Sequence, residues 1–459
     1  MKKREISVPD EIRIAWKYAD RNESKFLNDL TRVVSQQSIS AQNVGLKECA
    51  DLVGDMMGEL GFAVRKMPLA GAPDVIYGEL PGEKNAGTLV LYNHYDVQPV
   101  EPLDEWKSAP FKPEIREGKI FGRGVGDDKG EIVARFSAIK SLLDSGSSVR
   151  PKLKWVIEGE EEVGSPHFHE FVLKNKNLLK GDGCLWEGGD RSSKGTPDVH
   201  LGVKGLLYVE FRLKVGNKDQ HSQYGPIAPN PAWRLVNLLK TIKDEKERIL
   251  IDGFYDDVAK PTPEEIKFLK SNDFDSEGLR KDLQIDYLLE GKNDIDTVTK
   301  LLYNPTANIA GFGSGYQGQG SKTIVPREAF VKMDFRLVAN MSHKDILRKL
   351  KAHLKKHGFE DVELIVHSSE DPAKTPVDTH IAQTLIKCAE LVYERKPNVW
   401  PTIAGTGPLS LFTEGLKLPT AMGAGVSYPG AGFHAPNEHI LVDHYMKAVK
   451  QLICLFRLF

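Results

Sequence analysis

The chain has 459 residues, enough for two or three domains and a large buried core. Its 62 Lys and Arg nearly balance 64 Asp and Glu, giving a net charge of −2, so no global field draws it to nucleic acid or an anionic membrane. The four cysteines, Cys49, Cys184, Cys388 and Cys454, are scattered and form no CxxC pair, which speaks against a disulfide framework and a thiolate metal site and leaves nitrogen and oxygen as the ligands for any metal.

The N-terminal MKKREISVPDEI carries charge where a secretory signal would be apolar, and no apolar run approaches a membrane span, so a cytoplasmic protein without membrane contact is expected. From about Pro9 to Ser35 apolar residues recur at helical spacing, and LKECADLVGDMMGELGF predicts a second amphipathic helix ending at Gly61. Short apolar runs follow: DVIYGEL, TLVLYNH, KLKWVIEGE and GCLWEG, rich in β-branched and aromatic residues as buried strands are. The helical EIVARFSAIKSLLDSG lies between the second and third. The alternation predicts an α/β fold with a mixed, largely parallel sheet sandwiched by helices.

Near Gly202 the texture changes. Alternating segments (KGLLYVEFRLKV, VKMDFRLVA, VELIVHS) and helical ones (NPAWRLVNLLKTI, HKDILRKLKAHLKKHG) predict an α+β unit with antiparallel strands covered by helices on one face. Within it, a charged stretch at about 243–300 reads as solvated helices without evident chemistry. After Pro372 the α/β texture returns, ending in the helix VDHYMKAVKQLICLFRLF. The expected organisation is a discontinuous catalytic domain, 1–202 with 371–459, interrupted by a unit at 203–370.

Three segments of the first half carry chemistry. LYNHYDVQP at 91–99 offers His94, with Asp96 two residues on and on the same face in extended geometry, as a metal-binding imidazole braced by a carboxylate. GRGVGDDKG at 122–130 presents Asp127 and Asp128 from a glycine loop able to hold a carboxylate between two cations. EGEEEVGS at 158–165 crowds four carboxylates at a strand end, an arrangement that cations relieve and that leaves one carboxylate free as a base. Taken singly, each segment also reads as a satisfied strand-end histidine, a solvated turn or a surface acidic cluster. All three fall at strand ends of one α/β region, where ligands of parallel sheets gather.

These motifs resemble those of the co-catalytic di-zinc exopeptidase and deacylase family that includes carnosinase, cytosolic nonspecific dipeptidase, bacterial glutamate carboxypeptidase and succinyl-diaminopimelate desuccinylase, with the dipeptidase and carnosinase branch most similar. DQHS at 219–222, SKTIVP at 321–326, DFRLV at 334–338 and FHAPNEHI at 433–440 extend the resemblance over nearly the whole chain. It implies that His94 and Glu187 hold one ion, Glu162 and His434 the other, and Asp127 bridges both, with a cis peptide after Asp127. At the Glu187 position Asp190 competes. The resemblance further implies Glu161 as general base, His221 as a lid histidine that polarises the scissile carbonyl in a partner subunit, and Arg336, Thr323 and the Gly405-Thr406 loop as holders of the substrate carboxylate. The unit at 203–370 becomes a lid and dimerisation domain in a homodimer.

The implied cofactors are two divalent ions, zinc by ligand type, with manganese or cobalt compatible. The expected reaction is hydrolysis of dipeptides or short peptides with a free C-terminal carboxylate, the alternative being deacylation of N-acyl amino acids at the same centre. A binding protein that keeps the fold without turnover would need a missing ligand or base, and every expected position is filled. GSGYQG at 313–318 matches a glycine-rich nucleotide pattern but opens no predicted helix, and there is no GxSxG elbow. His439 and His444 are expected at or inside the last helix, and the other histidines on the surface.

Overall fold

The computed structural model describes residues 8–289 and 293–459. Its centre is an eight-stranded sheet whose order across the sheet is Ala63–Leu69, Ala72–Leu80, Lys152–Glu158, Thr88–His94, Gly183–Trp186, Thr420–Met422, Asp198–His200 and Asn398–Trp400. The four strands from Lys152–Glu158 to Thr420–Met422 run parallel to one another, while Ala63–Leu69 with Ala72–Leu80, Ala72–Leu80 with Lys152–Glu158, and Thr420–Met422 with Asp198–His200 pair antiparallel. The predicted mixed, largely parallel sheet is therefore present.

Alternation along the strands builds a core on each face. Leu89 and Leu91 point into a cluster with Phe26, Ile132, Leu385 and Leu452 from the helices Glu23–Ser35, Lys129–Asp144, His380–Tyr393 and Val442–Leu458. Val90 and Tyr92 point the other way, toward Phe168, Trp186, Leu409 and Phe412, with Tyr92 stacked on Trp186 at 3.5 Å between ring centroids. Burying a side chain of this size contributes roughly 1.5–3 kcal/mol each, so both faces hold the sheet rigidly. The helical stretch expected over Pro9–Ser35 is two helices, Asp10–Arg21 and Glu23–Ser35. The break falls at Asn22, whose side-chain amide donates to the Tyr18 carbonyl (2.9 Å), a local bond that competes with helix continuation.

Residues 205–370 form a second sheet of four antiparallel strands in the order Thr306–Ser314, Glu328–Leu337, Gly205–Lys214 and Glu363–Glu370. Helices Pro231–Ile242 and His343–Lys356 cover one face, burying Leu235, Leu238, Ile346 and Leu350 against Leu207, Val209, Val331 and Phe335. Asn230 starts the first of these helices by accepting the amides of Ala232 and Trp233. The charged stretch forms helices Pro263–Ser271, Ser276–Asp282 and Asp294–Tyr303 around a small core of Leu269, Val298, Leu302 and Tyr303. His353 departs from the surface position expected of it. It is buried under the helical layer, where its ring meets the Thr241 hydroxyl at 2.9 Å and burial lowers its pKa to about 4. No helix among the described residues is long and apolar enough to cross a membrane.

Candidate metal centre

Parallel pairing brings the chemistry to one edge of the large sheet. His94 ends its strand beside Glu158, the end of the next, and Glu187 follows directly on strand Gly183–Trp186. The acidic loop after Glu158 and the glycine loop before helix Lys129–Asp144 open at this same edge.

His94 is fully buried, with Nε2 3.0 Å from Asp127 Oδ1 and 3.6 Å from Glu187 Oε2. The other Asp127 oxygen, Oδ2, lies 3.1 Å from His434 Nε2, which is also 3.2 Å from Glu162 Oε2. One carboxylate thus spans two imidazoles, each with a further carboxylate beside it. Side-chain ligand atoms of His94, Asp128 and Glu187 cluster within 4.8 Å of one another, as do those of Asp127, Glu162 and His434. Asp128 is better described as a brace, because its Oδ2 already accepts from the Asn93 side chain (2.6 Å) and the His94 amide (3.1 Å). The peptide between Asp127 and Asp128 is cis, as the resemblance implied.

Support for this arrangement is dense. Asp96 accepts the backbone amides of Glu161 (3.2 Å) and Glu162 (3.1 Å), and its Oδ1 sits 3.3 Å from His94 Nδ1. It therefore steadies the acidic loop as well as the imidazole. Asn93 is fixed from behind by Arg135, which donates to its side-chain oxygen (2.5 Å) and to the carbonyls of Tyr92 and Trp186, and by the Trp155 indole (2.9 Å). Gln98 donates to Glu162 Oε2 at 2.9 Å.

Glu438 is the residue that the sequence reasoning missed. Fully buried, it accepts from Arg123 (2.8 Å) and from the amides of Gly124 (3.0 Å), Gly126 (2.9 Å) and Asp127 (3.3 Å), and so clamps the glycine loop to the loop carrying His434. A Cβ at Gly126 would fall 2.6 Å from the Phe433 ring, so a larger residue there would need that ring to move. The sequence signal was an acidic residue four positions after His434 together with an arginine inside the glycine loop. His434 itself has φ +59°, a left-handed conformation that turns its ring toward Asp127. His439 lies on strand His439–Leu441, its Nε2 2.7 Å from the Tyr428 hydroxyl, while His444 is inside the last helix.

The charge balance fits cations. Burial opposes a charge on His94, but Glu187, Asp127 and Asp96 outweigh it and hold its pKa well above the usual range. Hydrogen bonds to Asp127 and Glu162 raise His434 to about 10. Burial raises Glu161 to about 7; His94 opposes this, and Asp127, Glu162 and Asp96 reinforce it. Among the described residues Glu187 Oε2 is buried with no hydrogen-bond partner and only His94 Nε2 facing it at 3.6 Å, a costly state for a carboxylate oxygen that a closer cation would relieve. Asp190 is placed otherwise, with Oδ1 accepting the Ser427 amide at 3.2 Å, whereas Glu187 Oε2 lies beside His94 Nε2 at 3.6 Å.

The other expected residues form two separate pairs. His221 and Thr323 meet on the exposed ribbon Gln220–His221 and Ile324–Val325, where the Ser222 amide donates to the Thr323 carbonyl (3.1 Å) and the His221 ring accepts from the Gln223 amide (3.1 Å). Among the described residues no hydrogen bond joins His221 to the carboxylate cluster. Arg336 Nη1 donates to Thr406 Oγ1 (2.6 Å), linking the smaller sheet to the loop in which the Gly405 carbonyl accepts the Lys204 amide (2.9 Å).

Residues 90–457 match the model of peptidase family M20/M25/M40. The chain belongs to this family. Among solved structures it is similar to an M20 family metallo-carboxypeptidase, Sso-CP2, from Sulfolobus solfataricus, with 40% identity, a TM-score of 0.88 and coverage of 95% of this chain and 99% of that one. Human carnosine dipeptidase 1 is matched at 26% identity and a TM-score of 0.77, covering 97% and 98%. Among curated proteins, a Cys-Gly metallodipeptidase of Schizosaccharomyces pombe is 27% identical over 95% of this chain and 96% of its own length. The expected branch, dipeptidases and carnosinase, is thus where its relatives lie.

Proposed function

We propose that the protein is a di-metal exopeptidase that hydrolyses dipeptides or short peptides with a free C-terminal carboxylate. The observation that carries this reading is Asp127, whose two oxygens face two imidazoles on opposite sides, with Glu187 and Glu162 completing a pair of ligand sets. His94 and Glu187 would hold one divalent ion, Glu162 and His434 the other, and Asp127 both. Zinc suits these imidazole and carboxylate donors, and manganese or cobalt would also fit. Bound ions supply Lewis acidity and make water acidic enough to serve as a nucleophile near neutral pH.

The chain's own groups do the rest. Glu161 sits in the acidic loop without a ligand role and takes the proton of the attacking water. As the C–N bond breaks, it returns that proton to the departing amine. Asp96 holds the Glu161 and Glu162 backbone in place while this happens. Arg336 and Thr406, beside Gly405, hold the substrate carboxylate, for which the planar guanidinium is suited.

Residues 1–202 with 371–459 act as the catalytic domain and 203–370 as a lid, a division supported by their separate sheets and cores. The lid also forms a homodimer. Its exposed Tyr224, Ile227 and Trp233 follow closely on His221, which together with Thr323 would then serve the partner's site, where His221 polarises the scissile carbonyl. The cytoplasm is the proposed compartment. The relatives, two kinds of dipeptidase and a carboxypeptidase, favour peptide hydrolysis over deacylation of N-acyl amino acids. The metal-loaded protein is to be offered unblocked dipeptides, longer peptides and N-acetyl amino acids. Fastest cleavage of the unblocked dipeptides is expected, and turnover of N-acetyl amino acids alone would replace this reading with deacylation.

A further inference from the structure

Where the charged segment packs beside strand Thr306–Ser314, a cavity of about 530 Å³ opens, reaching Ala404 next to the Gly405-Thr406 loop. Its lining carries six Lys or Arg side chains and one carboxylate, Glu247. That carboxylate is already paired with Lys243, and Arg248 is tied to Asp244 outside the lining at 3.3 Å. Lys204, Lys246 and Arg336 have no carboxylate partner among the described residues.

Lys204 is the telling member. It is 3% exposed, and its ammonium donates to a neutral acceptor, the Asn304 carbonyl, at 2.7 Å. Burial, reinforced by the charge of Arg336, lowers its pKa to about 8. Two cations near one another in a partly dry cavity are stable only if something anionic offsets them. Among the described residues the lining offers neither of them a carboxylate, since Glu247 is paired with Lys243.

We propose that this cavity receives an acidic side chain from the C-terminal residue of the substrate, with Lys204 as its principal counter-charge, so that the protein prefers dipeptides ending in Asp or Glu. The inference rests on Arg336 and Thr406 holding the α-carboxylate, as proposed above. With the α-carboxylate there, the side chain of the same residue extends toward Lys204 and Lys246, and leucines in the wall, Leu279 and Leu301 among them, pack its methylenes. With the α-carboxylate taken up by Arg336, an amide side chain has the same shape but brings no charge to offset Lys204.

The test uses the metal-loaded full chain and pairs of dipeptides that differ only in charge, Ala-Glu against Ala-Gln and Ala-Asp against Ala-Asn. The acidic member should be favoured in kcat/KM by roughly tenfold or more, the scale of a charge-assisted hydrogen bond. Lys204→Met should bring the ratio close to one, Lys204→Arg should restore it, and Lys246→Gln should lower it part-way. Free Glu should inhibit the unmodified protein at concentrations roughly tenfold below those of Gln, a measurement that needs no variant. A ratio of one in the unmodified protein, or one that persists in a folded Lys204→Met, overturns the proposal. If no dipeptide is cleaved, the functional reading fails while the cavity is still testable. Calorimetric binding of Glu over Gln that is lost in Lys204→Met would support it, and equal binding would overturn it.

Discussion

The carboxylate cluster and the inserted unit are built in opposite ways. At the sheet edge most of the clustered groups are held by a neighbour: His94 by Asp96, Asp127 by the Glu438 clamp, the acidic loop by the two amides that Asp96 accepts. Most of these braces are buried, as rigid placement of a catalytic group demands. In the inserted unit His221 lies on a two-residue ribbon with Thr323 just before its second strand, and among the described residues the Arg336 side chain makes one hydrogen bond, to Thr406. The cluster is preorganised, and on the function proposed above the selection of substrate would be left to elements that complete themselves on closure or on meeting a second subunit. Substitutions at the edge should therefore abolish turnover or folding, while those in the inserted unit should act on KM, substrate choice and assembly.

The largest effect is expected at Glu161. Glu161→Ala should lower kcat by about 10²- to 10⁴-fold, the span of a lost general base, with metal content by elemental analysis unchanged. Full activity with both ions bound would show that another group moves the proton. The next tests the bracing itself. Glu438→Ala leaves Arg123 buried without its partner and frees the amides of Gly124, Gly126 and Asp127, at an expected cost on the order of 3–5 kcal/mol in denaturant unfolding. A loss below about 1 kcal/mol would mean that the glycine loop holds its shape unaided.

In the inserted unit the effects should be smaller and selective. Arg336→Ala is expected to reduce kcat/KM for an unblocked dipeptide by about 100-fold, and by much less for the same dipeptide carrying a C-terminal amide. Equal losses on both substrates would remove Arg336 from carboxylate recognition and with it the premise of the Lys204 cavity.

The same contrast explains what could be read from the sequence. The four strands read from the sequence were legible because they are short, largely buried apolar runs, whereas the more exposed Ala63–Leu69 was not, and the three polar segments were legible as a group because parallel pairing places strand ends side by side. The break at Asn22 was hidden because apolar spacing continues across it. Glu438 was hidden because its role lies in hydrogen bonds to backbone amides more than three hundred residues away, which no local pattern encodes. The division of the remaining expected residues into His221 with Thr323, and Arg336 with Thr406, follows from strand pairing between distant segments. The cavity beside Lys204 was invisible for the same reason, since its wall comes from a stretch that reads only as solvated charge.

The smallest intrinsic effect should come from Trp233, and that makes it the cleanest test of assembly. It is 65% exposed at the start of its helix, and Ile227 nearby is 83% exposed. Trp233→Ala should change the unfolding free energy of a single subunit by no more than about 0.5 kcal/mol, because little of its surface is buried there. If the inserted unit forms a homodimer through this patch, the same substitution should shift the sedimentation profile toward monomer at micromolar concentration and lower activity per active site in step with dissociation, since His221 would no longer reach its target. Activity that falls on dilution for the variant but holds for the unmodified protein would tie assembly to catalysis. An unmodified protein that sediments as a monomer and is fully active would return His221 to its own chain's site, and lid closure within one subunit would have to carry it there.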